Sequence, residues 1–199
     1  FSDGTPVTAD DVVATWKFLT DKTLQDLYFY TQFNKLEQPV AESKYIVRMK
    51  AKELGWQNFL IASGTRVFPA SILKNLDGAT YLRDYNFKLL PGTGPYIVTD
   101  ANIEKGKSIT IERRKDYWAE KYRANTGQYN FDQIKIVVVR DQNLIFEMFK
   151  RGDLDFYSVN RSKVWVEELN FDNFQRGLLV KKKVFNNYPS TLQFMAFNT

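Results

Sequence analysis

The five residues Pro91-Gly92-Thr93-Gly94-Pro95 constrain the chain more than any other stretch. Proline fixes its own φ and glycine reaches backbone angles that other residues avoid, so the run is the densest turn signal present. Two segments of strand character follow it, 96–100 and 108–113, with Glu104-Lys105-Gly106 turning between them. Gly92-Thr93-Gly94 is too short for a phosphate loop and lacks the downstream Gly or Lys-Ser/Thr of such cradles, which leaves it a structural turn.

Upstream, Thr8 can cap a helix, Asp10 and Asp11 suit its positive end, and Val12, Val13, Trp16 and Leu19 follow a 3.6-residue period, predicting a helix to about residue 21. After a polar, aromatic-rich stretch, 35–39 and 44–52 read as strands joined at Ala41-Glu42-Ser43. A short helix fits 55–63 and a helical stub 71–76, whereas 77–90 reads as a loop with one helical turn and a subdomain boundary. Downstream, the continuous apolar run within 131–140 suits a central strand covered on both faces. A helix over 141–151 follows, started by Asp141, closed by Gly152 and burying Leu144, Ile145, Met148 and Phe149. With 154–157 as a strand, this makes a right-handed parallel crossover. The stretches 162–169 and 171–177 look helical, and 179–185 and 192–197 look like strands.

Composition excludes several chemistries. The chain has 199 residues, 44% of them hydrophobic, enough for a substantial core, and no window approaches the roughly 18–20 apolar residues of a membrane span. With no Cys and no His, thiol catalysis, disulfides, thiolate metal sites and every His-dependent triad are excluded; neither a metal nor a cofactor is expected. The net charge of +5 includes the runs Arg113-Arg114-Lys115 and Lys181-Lys182-Lys183, but no nucleic-acid motif accompanies them and 23 acidic residues are interspersed, so they read as solvated surface and no nucleic-acid partner is expected. The carboxylate pairs Asp10/Asp11, Glu167/Glu168 and Asp153/Asp155 lack the arrangement of a glycosidase and read as solvated faces. Aromatics gather at 27–33 and 188–197, where they can serve a core or hold peptides and sugars. The chain opens without an initiator Met and stops inside a predicted strand, which reads as a piece of a larger protein whose site is shared with other segments.

Five motifs in order resemble the extracellular solute-binding proteins of family 5, the peptide-type and nickel-type receptors of ABC importers. They are the opening run from Phe1-Ser2-Asp3-Gly4 to Val12, Gly92-Thr93-Gly94-Pro95-Tyr96, Ile111-Glu112-Arg113 with Asp116-Tyr117-Trp118, Gly152-Asp153-Leu154-Asp155, and Phe197-Asn198-Thr199. The stretch from Ser162 to Glu168 and Asn187-Tyr188-Pro189 look more like the oligopeptide and microcin or murein-peptide branch than the nickel branch.

The resemblance implies an α/β (mixed α+β) chain: one lobe of a type II periplasmic binding protein-like fold, its mixed β-sheet flanked by helices, with a small accessory α+β subdomain. Residues 1–76 would form part of that subdomain, and 77–199 the mixed-sheet core, ending at the crossover to a second lobe. It further implies a non-catalytic component of an importer that captures peptides or peptide-like solutes. Its partner would be a membrane permease, its place the periplasm or the outer face of the membrane, and its state a monomer when intact. Metal chelates or sugars are the alternative ligands, and a carboxylate-based glycoside hydrolase the remaining alternative. The family geometry puts Tyr157, Ser158, Val159, Asn160 and Arg161, with Tyr188, Phe194 and Phe197, at the ligand cleft.

Overall fold

Helix α1 (Ala9–Leu19) starts where a capping box starts it: Thr8 N donates to Asp11 Oδ2 at 2.6 Å, and the Thr8 hydroxyl to the same oxygen at 2.9 Å. The computed structural model describes residues 1–85 and 88–185 and comprises two compact units, Phe1–Val138 and Val139–Thr199. Asp11 is no solvated carboxylate: it is buried, and its other oxygen accepts from Ala70 N at 2.7 Å, tying α1 to α4 (Ala70–Leu73). Thr15 makes a second tie, accepting from Phe68 N at 2.8 Å. Around these anchors Phe18, Leu19, Leu24, Phe33, Leu36 and Leu73 form a buried core, and each large side chain so buried contributes about 1.5–3 kcal/mol.

Three elements here differ from the sequence expectation. The aromatic stretch is a helix, α2 (Leu27–Phe33), started by Asp26 accepting from Phe29 N at 3.0 Å. Strands β1 (Val40–Ser43) and β2 (Ile46–Arg48) pair antiparallel across Lys44-Tyr45, so Ala41-Glu42-Ser43 lies in the ladder and not in the turn. The expected loop after Leu76 contains a full helix, α5 (Gly78–Asp84), capped by Asp77 and bound to the Asp21 loop; α3 (Trp56–Ser63) matches its expected place.

The sheet of the first unit is antiparallel throughout its described strands. Its centre is β5 (Ser108–Arg113); β3 (Tyr96–Ile97) and β4 (Ile103–Glu104) share one edge of β5, and β6 (Gln133–Val137) takes the other. Among the described residues strand β6 is therefore an edge strand rather than a doubly covered central one, and Ile136 and Val138 are 50% and 55% exposed. Its apolar run matched the pattern of a buried strand, but a run of Ile and Val cannot itself supply the covering layer. The turn at Pro91–Pro95 is held by its carbonyls: Trp118 Nε1 donates to Thr93 O at 3.0 Å and Arg114 N to Pro95 O at 2.8 Å. Neither Gly92 nor Gly94 adopts positive φ, so the turn does not use the freedom that glycine offers. Arg114 is buried and bidentate to Asp116 at 3.0 Å, so the first basic run is not simply solvated surface.

In the second unit, α6 (Gln142–Arg151) is capped by Asp141 and ends in a Schellman motif, with Gly152 at φ 84°, Asp153 N donating to Met148 O and Gly152 N to Phe149 O. Phe146 and Phe149 are its buried residues; Leu144, expected inside, faces out. A π-helical turn (Val164–Glu168) and α7 (Asp172–Gln175) complete the packing, with Val164 and Leu169 buried against α6 residues. The segments 154–157 and 179–185 form no ladder among the described residues, so the expected parallel crossover is not formed there. A strand exists only through its partner, and Leu154, Tyr157 and Val159 pack instead on the Phe146/Phe149 core. Among the described residues no helix is long and apolar enough to cross a membrane.

Candidate functional site

Beyond Gly152 the chain leaves α6 extended, and 154–160 makes no backbone hydrogen bond among the described residues. The segment is held through its apolar side chains. The Tyr157 ring stacks on Phe149 at 5.4 Å and lies 5.5 Å from Phe146, while Ser158 and Asn160 stay exposed. Arg161 O then accepts from Trp165 N at 3.2 Å, starting the π-helical turn that carries Trp165, a helix defect frequent at functional sites.

Opposite this wall runs 178–185. Leu178 N and Leu179 N donate to Asn173 O, and Asn173 Nδ2 donates to Lys150 O at 3.1 Å, so the segment is anchored through α7 to α6. Lys181 Nζ donates to Trp165 O at 3.0 Å and lies over the Trp165 and Phe174 rings at 5.7 and 6.0 Å. Between the two walls is an open groove of about 1100 Å³, slightly above the usual range for small-ligand sites.

Tyr157, Ser158, Val159, Asn160 and Arg161 all line this groove. Tyr188, Phe194 and Phe197 lie outside the described residues. Sequence reasoning took Lys181–Lys183 for solvated surface and did not single out Trp165 or Phe174; all five line the groove too. The signal was there for the lysines, since a basic run beside aromatic-rich turns can stack on them, yet periodicity alone does not say which rings share a wall.

Among the described residues Asp155 is the only carboxylate on the groove lining, and Asp153 is engaged by Arg151 at 2.7 Å. No group of three or more His, Cys, Asp or Glu able to hold a metal occurs among the described residues. A second hollow, in the first unit, is lined by core residues Phe18, Leu24 and Phe33 and offers Asp26 and Arg66 as its charged groups.

Known proteins share this architecture. Residues 1–199 match the family model described as bacterial extracellular solute-binding proteins, family 5, middle. The chain is 32% identical over 199 residues to the uncharacterized protein YejA of Escherichia coli (strain K12), covering 100% of this chain and 31% of YejA. It is 30% identical over 200 residues to a protein of Agrobacterium fabrum (strain C58 / ATCC 33970) named "Probable peptide-binding protein YejA", covering 99% and 32%. Among solved structures it resembles the oligopeptide-binding protein AppA of Bacillus subtilis in complex with a nonapeptide. The TM-score is 0.68 at 25% identity, covering 86% of this chain and 32% of AppA. The chain thus spans about a third of the length of the curated relatives it matches.

Proposed function

Because the chain belongs to the bacterial extracellular solute-binding proteins of family 5, we propose that it contributes to the substrate-binding component of an ABC importer and captures peptides or peptide-like solutes without transforming them. The observation that carries this reading is the pair of extended, ladder-free segments facing the groove. Neither 154–160 nor 180–185 makes a backbone hydrogen bond among the described residues. Their amides and carbonyls are available to a ligand that is itself a peptide backbone, which gives affinity independent of ligand sequence. Tyr157, Ser158, Val159, Asn160 and Arg161 then tune the choice of side chain, with Arg161 meeting a carboxylate. Tyr188, Phe194 and Phe197 extend the same site in this reading.

The oligopeptide-binding neighbour and the relative named for peptide binding support a peptide over other solutes. In this reading 1–76 belongs to an accessory subdomain and 77–199 to the mixed-sheet core of one lobe. The intact receptor is a monomer outside the cytoplasmic membrane and delivers its solute to a membrane permease.

Native mass spectrometry of the intact receptor tests the proposal. Co-purified peptides, and loss of affinity for a carboxylate-bearing peptide in Arg161→Ala, are the expected results. A protein that holds only chelates or sugars, and gains no thermal stability from mixed peptides, overturns the peptide assignment.

A further inference from the structure

The run Lys181-Lys182-Lys183 lines the same groove as Arg161, and against these four cations the lining sets one carboxylate, Asp155. Among the described residues eight of the 28 Lys and Arg side chains form salt bridges with Asp or Glu, including Arg151 with Asp153 and Arg176 with Asp172 in the same unit. None of these bridges involves Arg161, Lys181, Lys182 or Lys183.

The arrangement is also ordered. Lys181 is fixed by the Trp165 carbonyl at 3.0 Å, and Lys183 Nζ lies 5.8 Å from the Trp165 ring centre. Two of the three charges are thus set on an aromatic wall, and neither forms a salt bridge among the described residues.

We infer that this groove selects solutes with surplus negative charge, acidic peptides foremost, Lys182 and Lys183 meeting their carboxylates while Lys181 holds the shelf. The inference rests on the peptide-binding reading above and adds the charge class of the ligand. The carboxylates could be side chains or the peptide's own C-terminus; both present the same planar anion to a cation.

Calorimetric titration of the intact receptor with Ala-Glu-Glu-Ala, Ala-Gln-Gln-Ala and C-terminally amidated Ala-Glu-Glu-Ala separates these cases. The acidic peptide binds more tightly than the neutral one, and its advantage shrinks as salt rises from about 20 to about 300 mM. Lys182→Ser/Lys183→Ser weakens the acidic peptide about two- to tenfold more than it weakens the neutral one. Weaker binding of the amidated peptide than of its free acid shows that the C-terminal carboxylate is met as well, and unchanged binding assigns the recognised anions to the side chains alone. An unchanged unfolding midpoint in the variant keeps folding out of the comparison. Equal affinity for acidic and neutral peptides overturns the charge selection and leaves peptide capture standing; binding of none of the three overturns both.

Discussion

Asp21 gathers three donors, Thr23 N and the Thr23 hydroxyl at 2.8 Å on one oxygen and Gly78 N at 2.8 Å on the other. Burial raises its pKa, but the hydrogen bonds from Gly78 and Thr23 outweigh that and hold it below the usual carboxylate range. A depressed folded-state pKa adds stability that is present above the unfolded value, near 4, and is lost as pH falls through the folded one. Asp21→Ala should therefore cost about 1–2 kcal/mol at neutral pH, and urea unfolding should show the gap to the unsubstituted chain closing below about pH 4. Gly78 is demanding for a different reason. A Cβ there would lie 2.0 Å from Leu24 N and 2.4 Å from Leu24 Cα, so the α5 start can approach that loop only as glycine. Gly78→Ala should lower stability by on the order of 3 kcal/mol. Gly92→Ala and Gly94→Ala, with nothing within 4 Å of the added atom, should change it by less than about 1 kcal/mol in the same assay. The glycines conspicuous in sequence are thus the tolerant ones, and the critical one looks ordinary.

At the scale of elements, α6 shows how far a periodic pattern can be read. Its ends were legible because Asp141 and Gly152 act on their own neighbours: Asp141 accepts from Asn143 N at 2.8 Å, and Gly152 takes the left-handed conformation at φ 84°. Its buried face was less legible, since the helix is apolar at 144, 145, 146, 148 and 149 and more than one stripe fits. Phe146 is 4% exposed and Leu144 48%, so packing chose the stripe. Phe146→Ala should cost about 3–5 kcal/mol and Leu144→Ala less than about 1 kcal/mol by chemical denaturation. Strand β6 makes the complementary point. Its existence followed from Ile and Val, whereas its edge position among the described strands followed from which of them found β5.

For the whole molecule, the two units differ in what holds them. Phe1–Val138 has a six-residue buried cluster and the β5-centred sheet; in Val139–Thr199 the buried cluster is Phe146, Phe149, Val164 and Leu169 among the described residues. A segment of about 60 residues with so small a core among its described residues lies near the limit of independent stability. Expressed separately, 1–138 should unfold cooperatively on heating, and 139–199 should show little dispersion in its amide proton spectrum. A sharply dispersed spectrum from the shorter piece would contradict this.

The sequence alone determined what depends on neighbours along the chain: helix caps at Thr8 and Asp141, the stop at Gly152, the turn between β4 and β5, and the absence of His and Cys chemistry. It also carried the ordered motifs of the family, and it directed attention to 157–161. Tertiary structure decided what depends on residues far apart. It buried Asp11 against Ala70, let Gly78 meet Leu24, put β6 on the edge of the described sheet, and gathered Trp165, Phe174 and the triple-lysine run around the groove beside Arg161. Caps and turns are set by hydrogen bonds within a few residues, which spacing reveals. A groove wall is set by which side chains exclude water together, and that is a property of the packed chain.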